Sequence, residues 1–118
     1  MAYLLLINEP RGQRETRSED EGKALYQRMR EFGAGLEARG LLLASESLRD
    51  DRSAVRIERR AGQLSYSDGP FAEAKEMVGG FYLLRCDDQA QAIAIAEECP
   101  AAEWASVEVR EVAPCYLR

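Results

Sequence analysis

The sequence predicts an α+β domain with the element order β-α-β, hairpin, β-α-β. Residues 3–7 and 77–84 are almost continuously apolar, which is typical of strands covered on both faces. Each stretch precedes a segment whose apolar residues recur at steps of three and four, the period of a helix. With 118 residues, 46% of them hydrophobic and 31% charged, the chain has the size and composition of one folded domain, residues 1–118.

The first helix is predicted to begin at a capping box. Ser18 and Glu21 are spaced so that each side chain satisfies a backbone N–H group of the first turn. Gly40 follows as a C-terminal stop, and residues 41–48 form the next strand. The apolar stripe of this helix consists of Leu25, Met29, Phe32 and Leu36.

The second half of the chain repeats the alternation of strand and helix. Asp88 is placed to cap the second helix, which Pro100 ends, and residues 104–112 form an edge strand. Before this half lies an inserted, half-exposed hairpin that turns at residues 61–62. Its alternating apolar residues are Val55, Ile57, Leu64 and Tyr66. Those of the second helix are Ala92, Ile95, Ala96 and Cys99.

Two pairs of glycines interrupt these elements. Gly33 and Gly35 each cost about 1 kcal/mol relative to alanine inside a helix, so we expect them to permit close packing on the sheet. Gly79 and Gly80 lie within an apolar strand, where a bulge or a close backbone approach is expected.

The element order is that of a split βαβ, or ferredoxin-like, sandwich, in which the first and third main strands lie in the middle of the sheet. Two helices cover one face of such a sheet. Because the central strands are apolar on both sides, the other face needs a cover, and a second copy is the simplest one. We therefore predict a homodimer with facing sheets and a cleft between the open sheet face and the loops.

The composition excludes several classes of function. Histidine is absent, which removes the commonest general base and the commonest transition-metal ligand. The net charge of −5 argues against direct nucleic-acid binding, and the arginines between residues 49 and 60 are interleaved with acidic residues. No metal site and no cofactor are predicted. No segment has the length and apolar character of a membrane span.

The three cysteines, Cys86, Cys99 and Cys115, are too widely spaced for a metal or redox pair. Reduced thiols and a cytoplasmic location fit this pattern best. A nucleophilic thiol requires a cationic neighbour, whereas Cys99 follows two glutamates.

The most informative segment is DGPFAEAKE at residues 68–76, followed by GGFYLL at 79–84. It closely resembles the DGPF signature of the YCII-related (YciI-like) family. The first strand, the CPAA turn at residues 99–102 and the last strand at 106–110 are similar too, so the resemblance covers nearly the whole chain. It implies ferredoxin-like domains that assemble as a dimeric α/β barrel.

The family resemblance implies little about activity. An enzymatic role has been suggested for the YciI branch from a His and Asp pair in a cleft, and other members resemble companions of sigma factors. In this chain Asp68 is the natural candidate for the aspartate, but the histidine is missing. We therefore expect a homodimeric module that binds a small-molecule ligand or a sigma-factor-linked regulatory partner. The alternative is a small-metabolite enzyme with Asp68 as general acid or base. Glu73 and Glu76 are the other carboxylates that could transfer the proton, and the possible partners are Lys75, Tyr66 and Tyr82.

The candidate site is the segment around Asp68 together with nearby aromatic side chains, since ligand pockets pair apolar walls with a few polar groups. Each motif residue also has a structural interpretation, in which Asp68 and Gly69 form a turn and Phe71 anchors the loop in the core. The predicted catalytic residue is Asp68. The predicted ligand-binding residues are Tyr3, Tyr66, Gly69, Pro70, Phe71, Lys75 and Phe81.

Overall fold

The computed structural model describes the whole chain, Met1–Arg118. Its element order matches the predicted one. The strands and helices are β1 (Ala2–Pro10), α1 (Glu19–Ala38), β2 (Leu42–Ser47), β3 (Val55–Arg60), β4 (Gln63–Asp68), β5 (Glu76–Arg85), α2 (Gln89–Glu98) and β6 (Ser106–Glu111). Short 3-10 turns occupy Arg14–Thr16, Asp51–Ser53 and Pro100–Glu103, so the last strand begins two residues later than predicted.

The main sheet has four antiparallel strands in the order β2-β5-β1-β6. The two most apolar strands, β1 and β5, therefore lie in the middle, as predicted. Strands β3 and β4 form a separate two-stranded ribbon, the predicted insertion. The architecture is α+β and compatible with a ferredoxin-like fold.

The hydrophobic core lies between the two helices and one face of the sheet. Along β1 the side chains of Tyr3, Leu5 and Ile7 are buried, while the intervening Leu4 and Leu6 are only partly covered. This alternation follows from the strand geometry, because successive side chains point to opposite faces. Within one chain the central strands are thus fully covered on the helix side alone.

The predicted helix ends are confirmed. Ser18 Oγ accepts a hydrogen bond from the Glu21 N–H at 3.1 Å, and the Glu21 carboxylate accepts one from the Ser18 N–H at 3.1 Å. Gly40 ends the helix with a φ of +72°, which a glycine adopts without strain. At α2, the Asp88 carboxylate accepts a hydrogen bond from the Gln91 N–H at 2.9 Å.

The two glycines of α1 differ in their surroundings. A Cβ on Gly33 would lie 3.3 Å from Tyr82 Cε1, which confirms the close helix-to-sheet contact expected there. A Cβ on Gly35 would meet no atom within 4 Å, so the same expectation is wrong for Gly35. Gly35 lies on the exposed side of the helix, and no packing contact requires it.

These surroundings predict opposite effects of alanine at the two positions. We expect Gly35→Ala to raise the free energy of unfolding by about 0.5–1 kcal/mol, because alanine is the better helix former and restricts the unfolded chain. Gly33→Ala should lower it, since the added methyl group crowds Tyr82 and overpacking costs about 1–3 kcal/mol. Urea denaturation of both variants measures the difference, and an equal gain at both positions would contradict the close contact.

The β3–β4 hairpin projects from the body of the molecule. Its turn contains Ala61 and Gly62 with φ values of 49° and 79°, the left-handed conformation that suits a two-residue hairpin loop. The radius of gyration is 16.1 Å, against about 13.5 Å expected for a compact chain of this length. The projection accounts for the difference, since every hairpin residue is exposed.

Candidate functional site

A cleft of about 740 Å³ lies between α1 and the helix-facing side of the sheet. Tyr26 and Met29 line it from the helix, Ile7 and Gly80 line it from the sheet, and Trp104 borders it beyond α2. The sequence placed a cleft on the other face of the sheet, between that face and the loops. The cleft beside α1 is a different one, on the covered side, and the cleft expected with the homodimer stays a prediction.

Glu9 is the buried charged group of this cleft. It continues the helix-facing series of β1, and only 5% of its surface is exposed. Arg14 Nη2 lies 2.6 Å from Glu9 Oε1, which makes the contact an ion pair. The angles of this contact are not those of a hydrogen bond, so Oε1 has no aligned hydrogen-bond donor. A buried carboxylate whose one charged partner is Arg14 has acceptor capacity left for a ligand that donates a hydrogen bond.

Gly79 provides the space that Glu9 occupies. The pairing of β1 with β5 shifts between Ile7 and Asn8, which leaves Gly79 as the extra residue of a bulge and confirms the bulge expected from the sequence. A Cβ on Gly79 would lie 2.8 Å from Glu9 Cδ and 3.1 Å from Arg14 Nη2. Only glycine accommodates the ion pair in this arrangement.

Gly80 lies close to the neighbouring strand. A Cβ on Gly80 would lie 2.9 Å from the backbone oxygen of Glu46 on β2. The two successive glycines therefore have different functions, one beside the Glu9 side chain and one beside the β2 backbone. Both fulfil the expectation of a close approach.

Arginines and aromatic rings form the wall around Trp104. The guanidinium carbons of Arg17 and Arg28 lie 5.9 and 5.4 Å from the centroid of the Trp104 ring, within the range of cation–π attraction. Arg28 also binds Glu103 through two hydrogen bonds, and this contact lowers the pKa of the Glu103 carboxyl. The wall thus combines an apolar ring with positive charge.

Tyr82 closes the floor of the cleft. Its hydroxyl donates a hydrogen bond to the Met29 carbonyl at 2.6 Å, and its ring meets Phe32 edge to face at 5.3 Å between centroids. Burial raises the pKa of the Tyr82 hydroxyl, so the group stays protonated at neutral pH. This hydroxyl is therefore a structural donor to the helix and a poor proton acceptor.

The segment predicted as the site, residues 68–75, is attached to the base of the hairpin. Asp51 receives two hydrogen bonds from Arg11, at 2.9 and 2.6 Å, and one from the Phe71 N–H at 3.3 Å. The Gly69 N–H donates to the Ala54 carbonyl at 2.8 Å. These contacts fix residues 69–75 to the base of the hairpin.

The Arg11 contact has an electrostatic consequence. The hydrogen bond from Arg11 is the largest of the effects that lower the pKa of the Asp51 carboxyl. Since the folded-state pKa is depressed, the stabilisation is complete above the ordinary pKa of an aspartate and is lost as the pH falls through the depressed value. The loop anchor is therefore at full strength at neutral pH.

A cation–π contact strengthens the same loop. The guanidinium carbon of Arg56 lies 3.6 Å from the centroid of the Phe71 ring, and Arg56 Nη1 donates a hydrogen bond to Glu73 at 2.8 Å. The hydrogen bond from Arg56 lowers the pKa of the Glu73 carboxyl. Phe71 thus anchors the loop, but it lies half-buried beneath Arg56, so the expectation that it enters the hydrophobic core is wrong.

The predicted site residues are spread over several regions. Asp68 is exposed at the end of β4, and its side chain makes no hydrogen bond or ion pair within the chain. Tyr66 is exposed on the hairpin, and Tyr3 is buried in the core. Phe81 lies on β5 beside the cleft, but its side chain is on the opposite face of the sheet, whereas the others belong to the loop: Gly69, Pro70, Phe71 and Lys75.

The sequence interpretation did not identify four residues that shape the cleft and the loop anchor, namely Glu9, Arg14, Asp51 and Trp104. A signal for Glu9 is present in the sequence, because an acidic residue follows three apolar ones at every second position from Tyr3. Its partner Arg14 lies in the 3-10 turn after β1. No periodic pattern in the sequence indicates the contact between Arg14 and Glu9.

The cysteines do not add a reactive group to the cleft. Cys86 and Cys99 are buried, and burial raises the pKa of both thiols. Nowhere do three or more acidic or cysteine side chains converge in a geometry that could hold a metal ion. None of the helices combines the length and apolar composition that crossing a bilayer requires.

The sequence has recognisable relatives. An uncharacterized protein of Rhizobium meliloti (strain 1021) is 38% identical over 63 residues, which cover 52% of this chain. The match spans about half the length of that curated relative, 51%. The YCII-related domain matches residues 1–115, nearly the full length. The chain therefore belongs to the YCII-related domain family.

Proposed function

We propose that this protein is a small-molecule-binding module whose ligand occupies the cleft between α1 and the sheet. The buried Glu9 carboxylate, without an aligned donor to Oε1, is the observation that carries the proposal. A volume of about 740 Å³ lies within the range of small-molecule pockets. Such pockets pair apolar walls with a few fixed polar groups, and the Glu9–Arg14 pair is such a group.

The lining indicates the chemical class of the ligand. A carboxylate accepts hydrogen bonds, so the ligand part beside Glu9 carries an amine, amide or hydroxyl donor. Tyr26 and Trp104 offer aromatic surface to an apolar body. Arg17 and Arg30 border the cleft as well, beside Glu19, Glu37 and Glu46, and can pair with an acidic group on the ligand. A small metabolite that carries both a hydrogen-bond donor and an acidic group fits these features.

Binding without turnover is the function we favour. The chain has no histidine, the Tyr82 hydroxyl donates to a helix carbonyl, and burial raises the pKa of the Cys99 thiol. These groups are poor candidates for proton transfer or nucleophilic attack. Catalysis by Asp68 stays a prediction, and no contact within the chain orients its carboxylate.

The open sheet face supports a homodimer as the assembly. The pairing of the strands places Leu4, Leu6, Phe81 and Leu83 together on the side away from the helices, each of them partly exposed. Acidic and basic residues border this patch, namely Glu46, Glu108, Arg85 and Arg110. Two such faces related by a two-fold axis bring apolar centres and opposite charges together. A dimeric α/β barrel is the resulting proposal.

Two further expectations rest on the family resemblance alone. A sigma-factor-linked regulatory partner and a cytoplasmic location stay predictions. The acidic net charge and the interleaved charges of the hairpin region do not favour a direct nucleic-acid contact.

A thermal-shift screen of small amino- and hydroxy-acids tests the proposal on three proteins: wild type, Glu9→Gln and Asp68→Asn. At a hundredfold excess over Kd, a ligand adds about 2.7 kcal/mol of stability, or roughly 10 °C in Tm. We expect shifts in wild type and Asp68→Asn, and a loss of the shift in Glu9→Gln. The Asp68→Asn variant is the matched control, because it removes one carboxylate charge outside the cleft.

The opposite pattern would contradict the proposed site. A ligand whose shift survives Glu9→Gln but disappears in Asp68→Asn would move binding to the loop at residues 68–75. A library of this class that shifts none of the three proteins would count against the ligand chemistry inferred from the lining.

A further inference from the structure

The β3–β4 hairpin, called the arm below, is amphipathic and uncovered. Ile57 pairs with Tyr66 and Arg59 pairs with Leu64, so the apolar side chains share one face of the ribbon. The exposed fractions of these side chains are Val55 55%, Ile57 61%, Leu64 47% and Tyr66 65%. The other face carries polar residues, Arg56, Glu58, Arg60, Gln63, Ser65 and Ser67.

The chain does not cover this apolar face itself. The molecule measures 46 × 42 × 19 Å, and 19 Å corresponds to about two layers of secondary structure. The arm therefore extends in the plane of the sheet and does not fold over it. An isolated two-stranded hairpin is marginally stable in water, and a contiguous exposed apolar face marks an interaction surface.

The arm is held firmly at its base. Arg11 and Asp51 form a bidentate pair there, and the Asp51 carboxylate also binds the Phe71 N–H. Arg56 stacks on Phe71. The loop contacts thus present the apolar face in one orientation, which suits a defined protein contact better than a mobile loop would.

We propose that the arm packs its apolar face against a second copy of this chain, so that each protomer clasps the other. Charge favours this partner: the arm carries three arginines and two acidic residues, whereas the whole chain has a net charge of −5. The arm thus has a net charge of +1, and the body of a second copy has a net charge of −6. In the proposed dimer the facing sheets cover the apolar centre of β1 and β5, and the arm extends this contact at the border of that face.

The clasp extends the proposed homodimer and is independent of the ligand cleft. A two-fold axis makes the arm contact occur twice in the dimer. Each amphipathic arm therefore enlarges the interface between the facing sheets, and no different partner protein is needed. The arm then explains why an exposed insertion carries alternating apolar residues.

Sedimentation velocity over a dilution series tests the clasp with two variants that each add one negative charge. Ile57→Glu places it on the apolar face of the arm, and Gln63→Glu places it on the polar face beside Arg60. We expect wild type and Gln63→Glu to be dimers. Ile57→Glu should weaken the dimer at least tenfold, with an unchanged far-UV circular dichroism spectrum.

Hydrogen exchange gives a second result that folding defects do not produce. Amides of the arm should be protected in the dimer and lose this protection on dilution to the monomer. Dimerisation that is equally strong in Ile57→Glu, or arm amides that exchange alike at all concentrations, would overturn the clasp and leave the facing-sheet dimer standing. A wild-type chain that is monomeric at all concentrations would overturn both, while the ligand cleft is tested separately.

Discussion

Gly69→Ala is expected to lower the free energy of unfolding by about 3 kcal/mol or more, the largest effect of any single methyl addition considered. A Cβ at this position would lie 1.7 Å from the backbone oxygen of Asp51 and 3.3 Å from that of Ala54. Both atoms belong to the backbone, so a rotamer change cannot relieve the overlap. The loop and the base of the hairpin must separate.

The matched control for this substitution is Gly62→Ala at the tip of the same hairpin. Gly62 has a φ of +79°, but nothing lies within 4 Å of the position that a Cβ would occupy there. Its cost is the backbone strain alone, about 1–2 kcal/mol. Urea denaturation compares the two variants, and equal losses would show that residues 69–75 are not packed against the 51–54 turn.

Gly79→Ala is the second prediction with a large effect. The added methyl group would lie 2.8 Å from Glu9 Cδ and Oε1, in a buried part of the sheet. We expect a loss of about 1–3 kcal/mol in the free energy of unfolding, because the Glu9 side chain must move away from Arg14. The ligand-induced rise in Tm should shrink as well, since the same movement displaces the proposed anchor.

A thermodynamic cycle with Glu9→Ala isolates this contact. Removing the carboxylate also removes the atoms nearest to the new methyl group, so Gly79→Ala should cost less in the Glu9→Ala background. A coupling of at least about 0.5 kcal/mol is expected for residues in direct contact. Additive costs would mean that the loss in Gly79→Ala arises from the strand backbone and not from crowding of Glu9.

Local patterns were enough to predict the elements of this fold. The capping box at Ser18 and the stop at Gly40 depend on residues close in sequence, and both are confirmed. The element order places the first and third main strands, β1 and β5, in the middle of the sheet, and their apolar character agrees with that position. Periodicity and capping therefore determine the order of elements with little help from tertiary contacts.

The cleft could not be predicted in the same way. The sequence interpretation expected the Asp68 carboxylate to accept hydrogen bonds from the backbone of the Gly-Pro turn. In the structure the Phe71 N–H donates to Asp51, which lies 20 residues away in the sequence. The Glu9–Arg14 contact likewise depends on how the turn after β1 folds back over Gly79. Such contacts arise from tertiary packing. A local sequence motif therefore does not reveal them.

The most direct test of the ligand cleft is amide chemical-shift mapping by NMR with the strongest ligand from the screen. We predict that the largest changes occur at residues that line the cleft, among them Glu9, Gly22, Gly79 and Gly80, and that they vanish in Glu9→Gln. Changes confined to residues 68–75, and unaffected by Glu9→Gln, would contradict the proposed site.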